Sequence, residues 1–303
     1  MLSLNRLNCF DRLGVAVTIR YRTAVVDGLD VFYREAGDPS APTLVLLHGF
    51  PTSSVAYHEL ITELADEFHL IAPDYPGFGH SSAPAADEFT YTFDRLTDVV
   101  DALLDSLGLR SYALYVHDYG APVGFRLALR HPERIAGIVT QNGNAYEEGL
   151  TPFWEPFKKV WADPSADVAP LLGLLTAEAT RWQYAHGVSD LSLVNPDKAA
   201  LDQARLDRPG NHEIQLALFR DYGTNPGLYP LWQEYLREHR PPLLAVWGRN
   251  DEIFGPDGAR AFARDLPDAR IHLLDAGHFP LETRGRQIAG LVRDFLRTLS
   301  DRP

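Results

Sequence analysis

Four short apolar runs, at residues 43–47, 68–72, 112–116 and 135–140, alternate with segments whose apolar residues recur at helical spacing. That rhythm limits the fold more than any other feature of the chain. Each run is nearly continuous in hydrophobic residues, as expected of a strand buried on both faces. The intervening stretches 57–67, 96–107 and 123–130 carry amphipathic helical spacing. Strand, helix, strand in that order means parallel pairing through right-handed crossovers. Ahead of them, 17–26 and 31–36 read as an antiparallel opening pair joined at Asp27-Gly28. The rhythm stops after Gln141. Residues 145–236 are rich in Trp, Tyr, Pro and helix formers, and no run there reads as a buried strand. It resumes at 243–247 and 269–274 and closes with an amphipathic helix at 288–299. The expected architecture is α/β: a core made of residues 1–144 and 237–303, interrupted by a helical cap over residues 145–236.

At 303 residues and 45% hydrophobic, the chain can bury a large core. Its formal charge of −13 and its lack of any Lys/Arg run argue against a nucleic-acid-binding face or an anionic-membrane anchor. One cysteine, Cys9, cannot form an internal disulfide and excludes a multi-cysteine metal cage. No apolar stretch approaches the roughly 20 residues that span a bilayer. Residues 1–20 mix Asn, Arg and Asp with apolar residues and lack the core of a secretory signal. A reducing, cytoplasmic setting is expected.

Three loops at the carboxyl ends of expected strands hold the chemistry-bearing residues, where open α/β sheets place their ligands. The first is Val116-His117-Asp118-Tyr119-Gly120-Ala121-Pro122-Val123-Gly124. A nucleophile at such a strand-to-helix turn sits in a strained backbone with small neighbours, here Gly120 and Gly124. The central residue is Asp118 where serine hydrolases carry Ser. A carboxylate is ionised at neutral pH and needs no base to attack, which suits displacement at an alkyl carbon. An Asp before a helix is also a common cap. The second loop, His48-Gly49-Phe50-Pro51, holds an extended backbone before a proline, compatible with a cis Phe50-Pro51 bond. That geometry points the Phe50 N–H inward, where it and the Tyr119 N–H form an oxyanion hole. The third element pairs Asp251, after the strand at 243–247, with His278, after the strand at 269–274. Asp118, Asp251, His278 is the nucleophile–acid–base order of a hydrolase triad. Each of these residues alone has an ordinary structural use, and it is their joint occurrence in order that carries the reading.

Over residues 17–299 the chain resembles the α/β-hydrolase superfamily. Asp74-Tyr75-Pro76-Gly77-Phe78-Gly79-His80-Ser81 looks like that family's D-x-x-G-x-G-x-S loop. The HGxP and HD-aromatic-G motifs are similar to those of epoxide hydrolases and haloalkane dehalogenases, the branches with an Asp nucleophile. The resemblance implies the α/β-hydrolase fold and an alkyl-enzyme ester at Asp118, hydrolysed by water that His278 activates and Asp251 orients. Val116 stands where serine members usually carry Gly, a departure that Asp-nucleophile members tolerate.

The two branches differ in how they stabilise the leaving group. Haloalkane dehalogenases resembling this chain place Trp after the nucleophile, where Tyr119 stands here, and often Asn where Phe50 stands. The Arg that haloacetate dehalogenases place after the nucleophile is missing as well. Epoxide hydrolases use cap tyrosines as proton donors, and Tyr229 and Tyr184 are the expected pair, with Tyr146 and Tyr222 competing for Tyr184's role. Epoxide hydrolysis is therefore the expected activity, ahead of dehalogenation. An esterase or lactonase, disfavoured by the missing Ser, and a non-catalytic ligand-binding protein are the further alternatives.

Pro51, His48, Trp182 and Asn142 are expected to line the pocket. Trp154, Trp161, Trp182 and Trp232 suggest an apolar cap wall, and the substrate expected is small, apolar and electrophilic. Asn144 reads as a loop group, Glu282 as a helix-start charge, and His117 as a support pointing away from Asp118. No ligand-spaced cluster implies a metal or a cofactor. Oligomeric state is open, with a homodimer compatible.

Overall fold

A computed structural model describes residues 17–163 and 165–300. Cys9 lies outside them. Eight strands form one sheet: β1 (Arg20–Val26), β2 (Leu29–Ala36), β3 (Thr43–Leu47), β4 (His69–Pro73), β5 (Tyr112–His117), β6 (Ile135–Gln141), β7 (Leu243–Gly248) and β8 (Arg270–Leu274). Their order is β1-β2-β4-β3-β5-β6-β7-β8. The opening pair β1–β2 turns at Asp27 and Gly28, both with positive φ, and is antiparallel, as is β2–β4. Every other pairing is parallel.

Alternation along the central strands builds two cores, because successive side chains point to opposite faces. Val45 and Leu47 of β3, with Leu114 and Val116 of β5, pack into the cluster that includes Phe93 and Leu96 of the helix Phe93–Ser106. Leu44 and Leu46, with Ala113 and Tyr115, pack on the other face against Ile288, Val292 and Phe295 of the helix Pro280–Ser300. Burial on both faces is why these runs read as continuous rather than alternating. The helix expected over 57–67 is shorter: a 3-10 turn at Ser54–Tyr57 leads into His58–Leu64. The N–H groups of Glu67 and Phe68 both close on the Leu64 carbonyl, which tightens the exit into β4.

Between β6 and β7 the described residues form helices and turns, and one isolated bridge joins Leu150 there to Phe254, which follows β7. The last of those helices, Thr224–His239, runs three residues past the expected boundary at 236. This stretch is tied to two helices flanking the sheet by Lys198, which bridges Glu59 of His58–Leu64 at 2.9 Å and Glu282 of Pro280–Ser300 at 2.8 Å. Glu282 is thus a docking contact as well as a first-turn charge. Among the described residues, no helix is long and apolar enough to cross a membrane.

Parallel pairing puts the carboxyl ends of β3, β5, β6, β7 and β8 along one edge. The loops carrying Phe50, Asp118, Asn142, Asp251 and His278 leave from that edge.

Candidate active site

Asp118 follows β5 with φ +50°, and the helix Gly120–Arg130 begins two residues later. A left-handed conformation costs a non-glycine residue on the order of 1–2 kcal/mol, and the surrounding packing holds it there. Gly120 abuts the Leu47 carbonyl and Gly49 abuts the Asp118 side chain, so a Cβ at either position would overlap its neighbour. The bend lifts the carboxylate clear of the sheet edge.

Phe50, whose bond to Pro51 is cis, donates its N–H to Asp118 Oδ1 at 2.7 Å. The Tyr119 backbone N–H is a second donor to the same side chain. Burial raises the Asp118 pKa above the usual aspartate value; His278 and the two N–H groups partly offset the rise, and Asp251 adds to it. On the other side, His278 Nε2 stands 3.8 Å from Asp118 Oδ2. Its Nδ1 donates to Asp251 Oδ2 at 2.9 Å, so the neutral ring keeps its Nε2 lone pair free to accept. Burial pushes the His278 pKa down, but Asp251's charge and hydrogen bond, helped by Asp118, outweigh it and leave the pKa raised. A carboxylate with one oxygen held by an N–H donor can attack with the other. The imidazole beside it can then take a proton from water.

A narrow cavity, with about 20 Å³ of room for the centre of a water-sized molecule, lies above Asp118. Its walls are mostly aromatic and aliphatic, with Phe50 and Tyr119 below and Phe153, Trp154, Phe157 and Phe219 above. Besides Asp118 and Tyr119, whose buried hydroxyl has no protein partner, its polar side chains come from the helical stretch: Trp154, Tyr222 and Gln183. The Trp154 indole N–H is given to the Ile253 carbonyl at 2.8 Å. Tyr222 shares a hydrogen bond with Tyr229, and its pKa lies well above the ordinary tyrosine value, through burial first and then the charges of Tyr229 and Asp118.

Several expected residues stand elsewhere. Tyr184 does not line this cavity: its hydroxyl donates to Asp202 Oδ2 at 2.5 Å, and its ring stacks on Phe279 with centroids 4.3 Å apart. Tyr229 is also absent from the lining. Its hydroxyl accepts from Asn144 Nδ2 at 3.1 Å and from Tyr222, which stands between it and the cavity. Tyr146 gives its hydroxyl to Asp265 at 2.8 Å. Asn142 lies behind Asp251 rather than in the pocket. With φ +45° it donates to Asp251 Oδ2 at 2.7 Å and accepts from the Gly248 N–H at 2.9 Å.

His48 is a buried strut. It accepts from the Tyr75 N–H at 3.2 Å and donates to the Gly49 carbonyl at 3.1 Å, with its pKa lowered by burial to about 4. Pro51 is likewise absent from the lining. Trp182 faces a smaller space beside His278 and Asp251. His117 supports the loop by donating from Nε2 to the His278 carbonyl at 3.0 Å. Tyr222 and Gln183 carry no local motif, and nothing in the sequence marks them beyond residue type. Among the described residues, no three or more His, Cys, Asp or Glu side chains converge as a metal-binding group.

Residues 42–284 match the family described as alpha/beta hydrolase fold. A Saccharomyces cerevisiae protein described as an uncharacterized hydrolase is 47% identical over 274 residues, covering 89% of this chain and 94% of its own. A haloalkane dehalogenase of Mycolicibacterium paratuberculosis is 28% identical over 288 residues, covering 89% of each. The crystal structure of epoxide hydrolase A from Mycobacterium thermoresistibile is 26% identical, with a TM-score of 0.72, covering 92% of this chain and 98% of that one.

Proposed function

Because the chain belongs to the α/β-hydrolase fold family and is a hydrolase, we propose that it opens epoxides through a covalent ester at Asp118. Asp118 Oδ2 attacks a ring carbon, the C–O bond breaks, and the Tyr222 hydroxyl protonates the departing oxygen. Water then attacks Asp118 Cγ while His278 Nε2, oriented by Asp251, takes one of its protons. The N–H groups of Phe50 and Tyr119 hold the oxyanion on Oδ1. The Cγ–Oδ2 bond breaks, His278 protonates the leaving alkoxide, and the diol departs carrying Oδ2. The proton left on the new carboxyl group returns through solvent to the Tyr222 oxygen.

The choice of epoxide over halide rests on one observation: the polar groups this cavity offers a leaving atom. A halide needs N–H donors, and the indole N–H of Trp154, the tryptophan in the wall, is committed to a carbonyl. An epoxide oxygen needs a proton, and Tyr222, kept protonated by its raised pKa, gives one when its hydroxyl rotates from Tyr229 toward the cavity, a turn that an indole N–H fixed in its ring cannot make. Tyr229, accepting from Asn144, orients Tyr222 from behind. Residues 145–236 act as a cap, supplying Tyr222, Gln183 and most of the apolar wall, and the substrate is a small apolar epoxide.

The test is to mix His278→Gln with an aryl or alkyl epoxide and record the intact mass. A gain equal to the whole epoxide is the expected result. With haloalkanes, a gain of substrate minus hydrogen halide, without any epoxide adduct, would assign the protein to dehalogenation instead. No adduct with either class would overturn the covalent mechanism.

A further inference from the structure

Besides the Tyr119 hydroxyl, two buried acceptors on residues lining the cavity above Asp118 and the crevice beside it have no protein partner. One is His278 Nε2, and the other is Gln183 Oε1. Gln183 is 3% exposed, and leaving such an amide oxygen unsatisfied costs about 1–3 kcal/mol. Its location is specific. Gln183 lines the cavity above Asp118, which has room for a water, and also the tight adjoining crevice that His278 lines. It therefore sits where the carboxylate's cavity and the imidazole's space meet. With Nδ1 donating to Asp251, neutral His278 presents a lone pair at Nε2. An amide oxygen presents another. One molecule that donates to both at once, and keeps a lone pair directed at a third atom, is water.

We infer that Gln183 positions the water that cleaves the Asp118 ester, an inference that rests on the proposed two-step mechanism. The water gives one proton to His278 Nε2 as its oxygen bonds to Asp118 Cγ. Its second O–H stays donated to Gln183 Oε1, which turns the remaining lone pair toward the ester carbon. After the Cγ–Oδ2 bond breaks, that second proton is the one left on the regenerated carboxyl group. Gln183 takes no part in the first step, because neither ring opening nor protonation of the epoxide oxygen requires it.

The experiment is single-turnover kinetics on the full-length protein with Gln183→Met, which keeps the shape and removes the acceptor, and with Gln183→Leu as a second variant. Ester formation and ester decay are followed separately by quenched-flow mass measurement. Ester decay is expected to slow about tenfold or more, with formation within about twofold of wild type and a transient adduct appearing. Melting temperature should hold or rise, because an unsatisfied buried group has been removed, whereas loss of a structural contact would lower it. If formation slows as much as decay, or neither changes, Gln183 does not position the water. If His278→Gln forms no ester, the mechanism beneath fails. If it forms one while Gln183→Met and Gln183→Leu decay at the wild-type rate, only the role given to Gln183 fails.

Discussion

Asn142 and His278 both donate to the same oxygen, Asp251 Oδ2, at 2.7 Å and 2.9 Å. The carboxylate is thus clamped from two sides, while its other oxygen accepts from the Ile253 N–H at 2.8 Å. An acid held this way fixes the plane of the imidazole, and with it the direction of the Nε2 lone pair.

Replacing Asn142 with Ala removes a donor to Asp251, orphans the Gly248 N–H and places Ala at a positive φ. The expected cost is about 2–4 kcal/mol of stability, visible as a lower melting temperature. Ester decay should slow more than ester formation, because His278 is disoriented while Asp118 is untouched. Equal slowing of both steps, read by quenched flow, would contradict the clamp.

Tyr222→Phe should slow epoxide opening by about 10²–10⁴-fold, the usual worth of a positioned general acid. Tyr184→Phe should alter it by less than about threefold, since that hydroxyl is bound to Asp202 away from the cavity lining. Rates of adduct formation in the His278→Gln background compare the two directly, and the reverse ranking would return the donor's role to Tyr184.

Gly49→Ala inserts a methyl group into the space occupied by the Asp118 side chain. The carboxylate must move, and the 2.7 Å contact with the Phe50 N–H is lost. Adduct formation should fall by at least about a hundredfold in a protein whose circular dichroism is unchanged. Normal adduct formation would show that the placement of the carboxylate is not critical.

Asp118 is one of the charges that raise the His278 pKa, and esterification removes that charge. The acid limb of ester decay should therefore lie at lower pH than the titration of His278 in the resting protein. Pairing NMR titration of the imidazole with the pH profile of decay tests this. Coincident values would mean that the two side chains do not interact.

Burial raises the Asp202 pKa to about 7, with Tyr184, Thr52 and Arg205 only partly offsetting it. A carboxyl whose folded pKa lies above its unfolded value costs no stability while protonated in both states, below about pH 4. The cost grows as pH rises and is complete above about pH 7. Asp202→Asn should flatten that slope, gaining a few kcal/mol relative to wild type at pH 8 compared with pH 4. Denaturant unfolding at the two pH values measures it, and parallel wild-type and variant curves would refute it.

Much of the fold and the core of the site were legible before any coordinates, because they depend on short-range rules. Continuous apolar runs report burial on both faces. The small residues around Asp118 and the Gly49-Phe50-Pro51 segment report backbone geometry set within a few residues. The order Asp118, Asp251, His278 follows from strands that must end on one edge. What stayed hidden depended on packing at a distance. Tyr184, Tyr222 and Tyr229 are equivalent as residue types, and only the docking of their helices decides which hydroxyl meets the cavity. Asn142 looked like a pocket group until its left-handed backbone turned the amide onto Asp251. Gln183 stands out only because the folded chain leaves its oxygen without a partner. Backbone geometry is written locally, whereas the direction a side chain faces at a site is decided by everything packed around it.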